Sequence, residues 1–132
     1  MRPRRLLGSE VVVDYPEAVA DLHCEFIHAG SEVIQALTFW STRNILKDQA
    51  GRGSETEKIN RQAIKIAKQV SKGNALVAGT LSQTTLMGFR DRRKATHGAK
   101  AKAALKDVRS VLEEQARWLA EEKCRFHHCG DV

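Results

Sequence analysis

Two short runs, residues 33–39 and 75–81, carry apolar side chains on both of the faces that strand alternation creates, and stripes of helical period lie before, between and after them. In the first run Val33, Leu37 and Phe39 share a face with Gln35, while Ile34, Ala36 and Thr38 form the other. A strand with so little polar surface predicts cover on both sides, the condition of a parallel sheet flanked by helices. Before it, Val19, Leu22, Phe26 and Ile27 predict a helix over residues 15–29, opened by Pro16, capped by Asp14 and closed at Gly30. Between the runs, Ile59, Ala63, Ile66, Ala67 and Val70 predict a second helix. Ser54 and Glu57 precede it at capping-box spacing, and Lys72-Gly73-Asn74 ends it. Leu105, Val108, Leu112, Ala116 and Leu119 predict a third helix, and "CRFHHC" reads as a last short strand.

Helix, strand, helix, strand, helix and strand in that order imply right-handed crossovers and an α/β fold with parallel strands. Elements of this size fit an open doubly wound sheet or a (β/α)8 TIM barrel, and the barrel takes about 250 residues. The 132 residues here hold about three βα units, so a barrel would be partial. An apolar fraction of 42% is enough to fill a core. The net charge of +6 favours loose affinity for polyanions without specifying one. Cys24, Cys124 and Cys129 are an odd set for a disulfide framework. The basic start "MRPRRLLGSEVVVDYPE" has no signal-type apolar core, and no run approaches the ~20 apolar residues of a membrane helix, so the expected place is the cytoplasm.

The segments "YPEAVADLHCEFIHAGSEVIQALTFW", "INRQAIKIAKQV" and "ALVAGTLSQT", with "LEEQARWLAEEKCRF" more weakly, occur in one order and at one spacing. Together they resemble the homocysteine S-methyltransferase family, most closely its betaine-using members, over residues 10–126 with a poor interval at 87–104. The resemblance implies that residues 15–132 are part of a homocysteine-binding (β/α)8 barrel and that residues 1–14 are an N-terminal segment lacking the family's first strand. It implies transfer of a methyl group from betaine or a similar donor to the sulfur of homocysteine, a step of methionine biosynthesis. Zinc is the family's cofactor, and coordination holds that sulfur as the thiolate, the nucleophilic form. Reactive groups of barrels collect at the C-terminal ends of the strands. The resemblance therefore implies a substrate-binding set of Gln35, Thr38, Phe39 and Trp40 on one strand end and Ser82 and Gln83 on the next. Trp40 stands where betaine enzymes carry tyrosine. It keeps an aromatic face for a quaternary ammonium but has no phenolic hydroxyl.

Three family features have no counterpart. There is no Asp-Gly-Gly, Gly130 stands at or near the position of a catalytic glutamate, and the three cysteines do not match the family's zinc ligands, a lone cysteine and then an adjacent pair. The expected function is thus that of a truncated or partial S-methyltransferase, inactive alone, whose partners are homocysteine, a methyl donor and either the missing C-terminal barrel part or further copies of itself. A non-catalytic fragment and a small basic binding module are the alternatives. Nucleic acid is not an expected partner, because the basic run from Arg90 to Lys106 has only Phe89 beside it for stacking. His127 and His128 would face opposite ways in a strand, so "CRFHHC" predicts a frayed strand rather than a metal site. His23 and His28 are expected to be structural.

Overall fold

The computed structural model describes residues 8–82 and 99–123. A short helix α1 (Val11–Asp14) leads into α2 (Pro16–His28), strand β1 (Val33–Gln35), a one-turn helix α3 (Arg43–Ile45) continued by a π-turn (Leu46–Ala50) and a 3-10 turn (Gly53–Glu55), then α4 (Thr56–Ser71), strand β2 (Leu76–Ala78) and α5 (Ala99–Glu121). β1 and β2 pair in parallel, with Val33 opposite Leu76, Ile34 opposite Val77 and Gln35 opposite Ala78. The fold is α/β, as the alternating pattern predicts.

α4 is the centre of the packing. Ile59, Ala63, Ile64, Ile66 and Ala67 are all buried and form the core with Val12, Val19, Ile34, Ala36, Leu46 and Leu119. The helical stripe read from sequence is present; Ile64, outside it, is also buried because α1, α2 and α5 together wrap more than one face of α4. Lys72 closes α4 in the left-handed conformation at φ 42° and Gly73 follows at φ 82°. Arg61 ties α4 to the end of α5 through Glu121 and Glu122 and pairs with Glu57 on its own helix.

Several local expectations are corrected. β1 is shorter than residues 33–39, because after Ala36 N donates to Ala78 O at 2.8 Å the chain turns tightly, Thr38 N donating to Ala36 O at 2.8 Å. Its two faces are unequal: Ile34, Ala36 and Thr38 are buried, whereas Val33, Gln35 and Phe39 are exposed. Asp14 does not cap α2. It ends α1 and pairs with Arg52 at 2.7 Å, and Tyr15 occupies the cap position without a side-chain bond. The capping box does not form either. α4 begins one residue later than Ser54 implies, at Thr56, whose hydroxyl donates to Gly53 O at 2.6 Å. On α5 the buried residues are Gln115, Trp118 and Leu119, while Leu105 is exposed and Val108, Leu112 and Ala116 are half-buried. The strand expected in "CRFHHC", and with it a third βα unit, lies outside the described residues.

Candidate functional site

The tails of β1 and β2 emerge side by side because the strands are parallel, and Thr38 locks them together. Its hydroxyl donates to Thr80 O at 2.7 Å and accepts from Thr80 N at 3.1 Å. Its carbonyl is met by three donors: Ser41 Oγ at 2.6 Å, Ser82 Oγ at 2.8 Å and Gln115 Nε2 at 2.9 Å. Ser41 N in turn donates to Ser82 Oγ at 3.0 Å. From α4, Asn60 Nδ2 donates to Ser41 O and Thr56 O, both at 2.8 Å. From α5, Gln115 Oε1 accepts from Ser82 N at 2.8 Å, and Nε2 also lies 2.9 Å from Asn60 Oδ1. Thr38, Ser41, Asn60, Ser82 and Gln115 are all buried. Burying this many polar groups is tolerable only because each finds a partner. The network therefore fixes the path of both strand tails and nails them to α4 and α5.

Outside this frame stand the residues that face away from it. Gln35 lies on the exposed face of β1, its amide donating to the Thr80 hydroxyl. Phe39 is exposed and meets the half-buried Trp40 edge to face, ring centroids 5.5 Å apart and planes at 78°. Trp40 lies against Gly8, where an added Cβ would come within 3.1 Å of the Trp40 Cβ, so the close approach depends on glycine. Of the six residues expected to bind substrate, Gln35, Thr38, Phe39, Trp40 and Ser82 occur together at the two strand ends, Thr38 and Ser82 inside the network and the other three beyond it. Gln83 lies outside the described residues. Sequence reasoning missed Ser41, Asn60 and Gln115 as a unit. The one signal for the latter two is a polar residue inside an apolar helical stripe, Asn60 beside Ile59 and Ala63, Gln115 beside Trp118 and Leu119.

Among the described residues no three His, Cys, Asp or Glu side chains come together as a metal site. Cys124, His127, His128, Cys129 and Gly130 are outside those residues. No helix among them is long and apolar enough to cross a membrane. Lys102 and Lys106 of the basic run are exposed on α5.

A second feature lies on the other side of β1. A cleft of about 510 Å³ runs between α2 and β1, lined by Leu22, His23, Phe26, Val33, Gln35 and Phe39 among others. His28 is exposed, but His23 is 5% exposed and its Nε2 has no hydrogen-bond partner. Burial holds the His23 imidazole below its ordinary value. Unfolding therefore takes up a proton once the pH falls below about 6.5, the value of a free imidazole. Stability is unaffected above that pH, declines as pH falls towards the lowered folded-state value, and is flat with respect to this group below it. The thermal midpoint is expected to fall more steeply between about pH 7 and pH 5 in the parent chain than in a His23→Phe variant; equal slopes would rule the imidazole out as the cause.

The family model for homocysteine S-methyltransferases matches residues 2–129. Betaine–homocysteine S-methyltransferase 1 of Sus scrofa is 44% identical over 79 residues, 57% of this chain and 28% of that protein. The Danio rerio protein of the same name is 43% identical over 77 residues, covering 57% of this chain and 19% of its own length. The S-methylmethionine–homocysteine S-methyltransferase of Pongo abelii is 40% identical over 81 residues, 61% of this chain and 21% of its own. The chain thus spans less than a third of the curated relatives it matches.

Proposed function

The chain belongs to the homocysteine S-methyltransferase family, and we propose that it forms part of a (β/α)8 barrel whose strand ends receive homocysteine and a methyl donor such as betaine. The observation that carries this is the meeting of two parallel strand tails, residues 35–42 and 80–82, in one buried network that leaves aromatic groups standing at its margin. In this role Trp40 and Phe39 offer ring faces to the quaternary ammonium of the donor, an attraction that needs no counter-charge. Gln35 offers an amide to the polar end of a substrate, and Gln83, which follows Ser82 in sequence, joins the set by the family resemblance alone. Thr38 and Ser82 act by holding these groups in place.

The transfer moves a methyl group from nitrogen to the homocysteine sulfur. The thiol proton leaves, a sulfur–carbon bond forms and dimethylglycine departs when betaine is the donor. A sulfur near its ordinary pKa of ~8.5 is mostly protonated at neutral pH, so it must be activated. Among the described residues no three His, Cys, Asp or Glu side chains come together to fit the zinc that the family resemblance implies. Activation would come from residues outside those described or from a complementary polypeptide.

The test is co-expression of this chain with the C-terminal portion of a betaine–homocysteine S-methyltransferase, followed by assay of methionine formed from homocysteine and betaine. The expected result is a co-purifying, active complex in which Trp40→Ala raises the betaine requirement about tenfold, in line with losing a desolvated cation–π contact. A complex that forms without turnover would refute the catalytic part of the proposal.

A further inference from the structure

We propose that Glu10 sets the charge preference of the aromatic strand end, so that the Phe39–Trp40 pair takes a quaternary ammonium in preference to a neutral group of the same shape. The inference deepens the donor-site part of the reading above and rests on it.

The segment before α1 lies against Trp40. Gly8 O, Ser9 O and Glu10 O accept from Val11 N, Val12 N and Val13 N at 3.3, 3.2 and 3.0 Å, so residues 8–10 form the turn that leads into α1. Ser9 and Val12 are buried, which anchors that turn in the core. Trp40 Cγ and Glu10 Oε2 lie 3.9 and 3.6 Å from the point that a Cβ on Gly8 would occupy. The indole and the carboxylate therefore flank the same glycine, and the absence of a side chain there is what brings them near each other.

Glu10 is only 8% exposed. A carboxylate withdrawn from water in this way is screened far less than a surface charge. A quaternary ammonium has no N–H to donate. It needs a face to rest on and a negative potential, so Glu10 can act on it through space, whatever hydrogen bonds the carboxylate accepts. The rings alone discriminate weakly, because a cation–π contact at an exposed position is a modest gain. Phe39 is 38% exposed and Trp40 is half-buried, so this pair is of that kind. No Lys or Arg occurs between Arg5 and Arg43, and Arg43 is engaged with Glu114 and Gly53 O. Glu10 is thus a specificity-determining residue: the rings give the seat, and the carboxylate decides the charge of what sits there.

The experiment uses the full chain, choline as the cation, and the neutral isostere of choline in which a tert-butyl group replaces the trimethylammonium. The Trp40 indole N–H signal in NMR, identified by its loss in Trp40→Phe, reports binding. Choline should shift that signal saturably and bind at least about tenfold more tightly than the isostere. Glu10→Gln should weaken choline binding about tenfold and leave binding of the isostere unchanged. Glu10→Asp, which keeps the charge, should restore most of the preference. The proposal is overturned if the parent chain does not bind choline, or binds both compounds equally, which needs no variant to establish. It is also overturned if Glu10→Gln weakens both compounds alike, the mark of a merely structural role, or weakens neither. No methyl transfer is read here, so an inactive co-expressed complex would refute the catalytic reading and leave this result standing. An active complex together with an unchanged choline preference in Glu10→Gln would sink this inference alone.

Discussion

Replacing Gln115 by glutamate is expected to cost about 3–5 kcal/mol of folding stability at neutral pH, the range for a buried charge left without compensation. The two side chains have nearly the same shape, so packing is preserved and the chemistry alone changes. Gln115 Nε2 donates into a pocket of oxygens, with Thr38 O, Ser41 Oγ and Asn60 Oδ1 all at 2.9 Å. A carboxylate oxygen in that place has no proton to give and faces acceptors. Burial and those neighbours would raise the folded-state pKa of the new carboxyl above the ~4.3 of an unfolded glutamate. A raised folded-state value means stability is retained below the unfolded pKa and lost as pH rises through the folded one. The difference between variant and parent should therefore shrink towards about pH 4 and widen towards pH 7. Urea unfolding at several pH values reads this directly. A pH-independent loss would show that shape, not charge, is what the position requires. Because domains of this size are stable by only about 5–15 kcal/mol, the variant stands near the limit of folding at pH 7.

Leu119→Ala is expected to cost about 2–5 kcal/mol, the range for emptying a fully buried leucine site. Leu119 is completely buried and closes the core over the start of the β2 tail. Its isopropyl group lies so near Gly79 that a Cβ there would come within 3.1 Å of Leu119 Cδ1 and 3.2 Å of Cδ2. The strand tail approaches the helix this closely because residue 79 has no side chain. The same fact yields an internal control. Gly79→Ala alone overpacks the site, a fault that typically costs about 1–3 kcal/mol. Combined with Leu119→Ala, the added methyl enters the vacated space, so the double variant should be less destabilised than the two single losses added together. Additive losses in chemical denaturation would mean that the two positions do not share one cavity.

The order of elements was legible because it rests on periodicity. The stripe Ile59, Ala63, Ile66 and Ala67 is buried as a helix of that period must bury it. The limits of the elements were less legible. Residues 36–39 have strand composition, yet the chain turns at Ala36–Thr38, where the Thr38 hydroxyl and carbonyl find partners at Thr80 and Gln115, both far away in sequence, as well as at the nearby Ser41. The capping box failed for a similar reason: Thr56, not Ser54, bonds the preceding turn. In the candidate site the aromatic pair at positions 39 and 40 could be singled out from its place at a strand end. The amides that hold that strand end could not, since Asn60 and Gln115 acquire their partners only when α4 and α5 have packed. On α5 the stripe Leu105, Val108 and Leu112 predicts a helix but not what that face meets. Together with Leu81 the stripe borders an apolar groove of about 500 Å³.

The Thr38 carbonyl draws donors from three different places, at 2.6, 2.8 and 2.9 Å. Such crowding lengthens the carbon–oxygen bond and lowers its stretching frequency relative to an ordinary peptide. Isotopic labelling of that one carbonyl would separate its infrared band from all others and make it a built-in gauge of whether helix, strand and loop have closed upon each other.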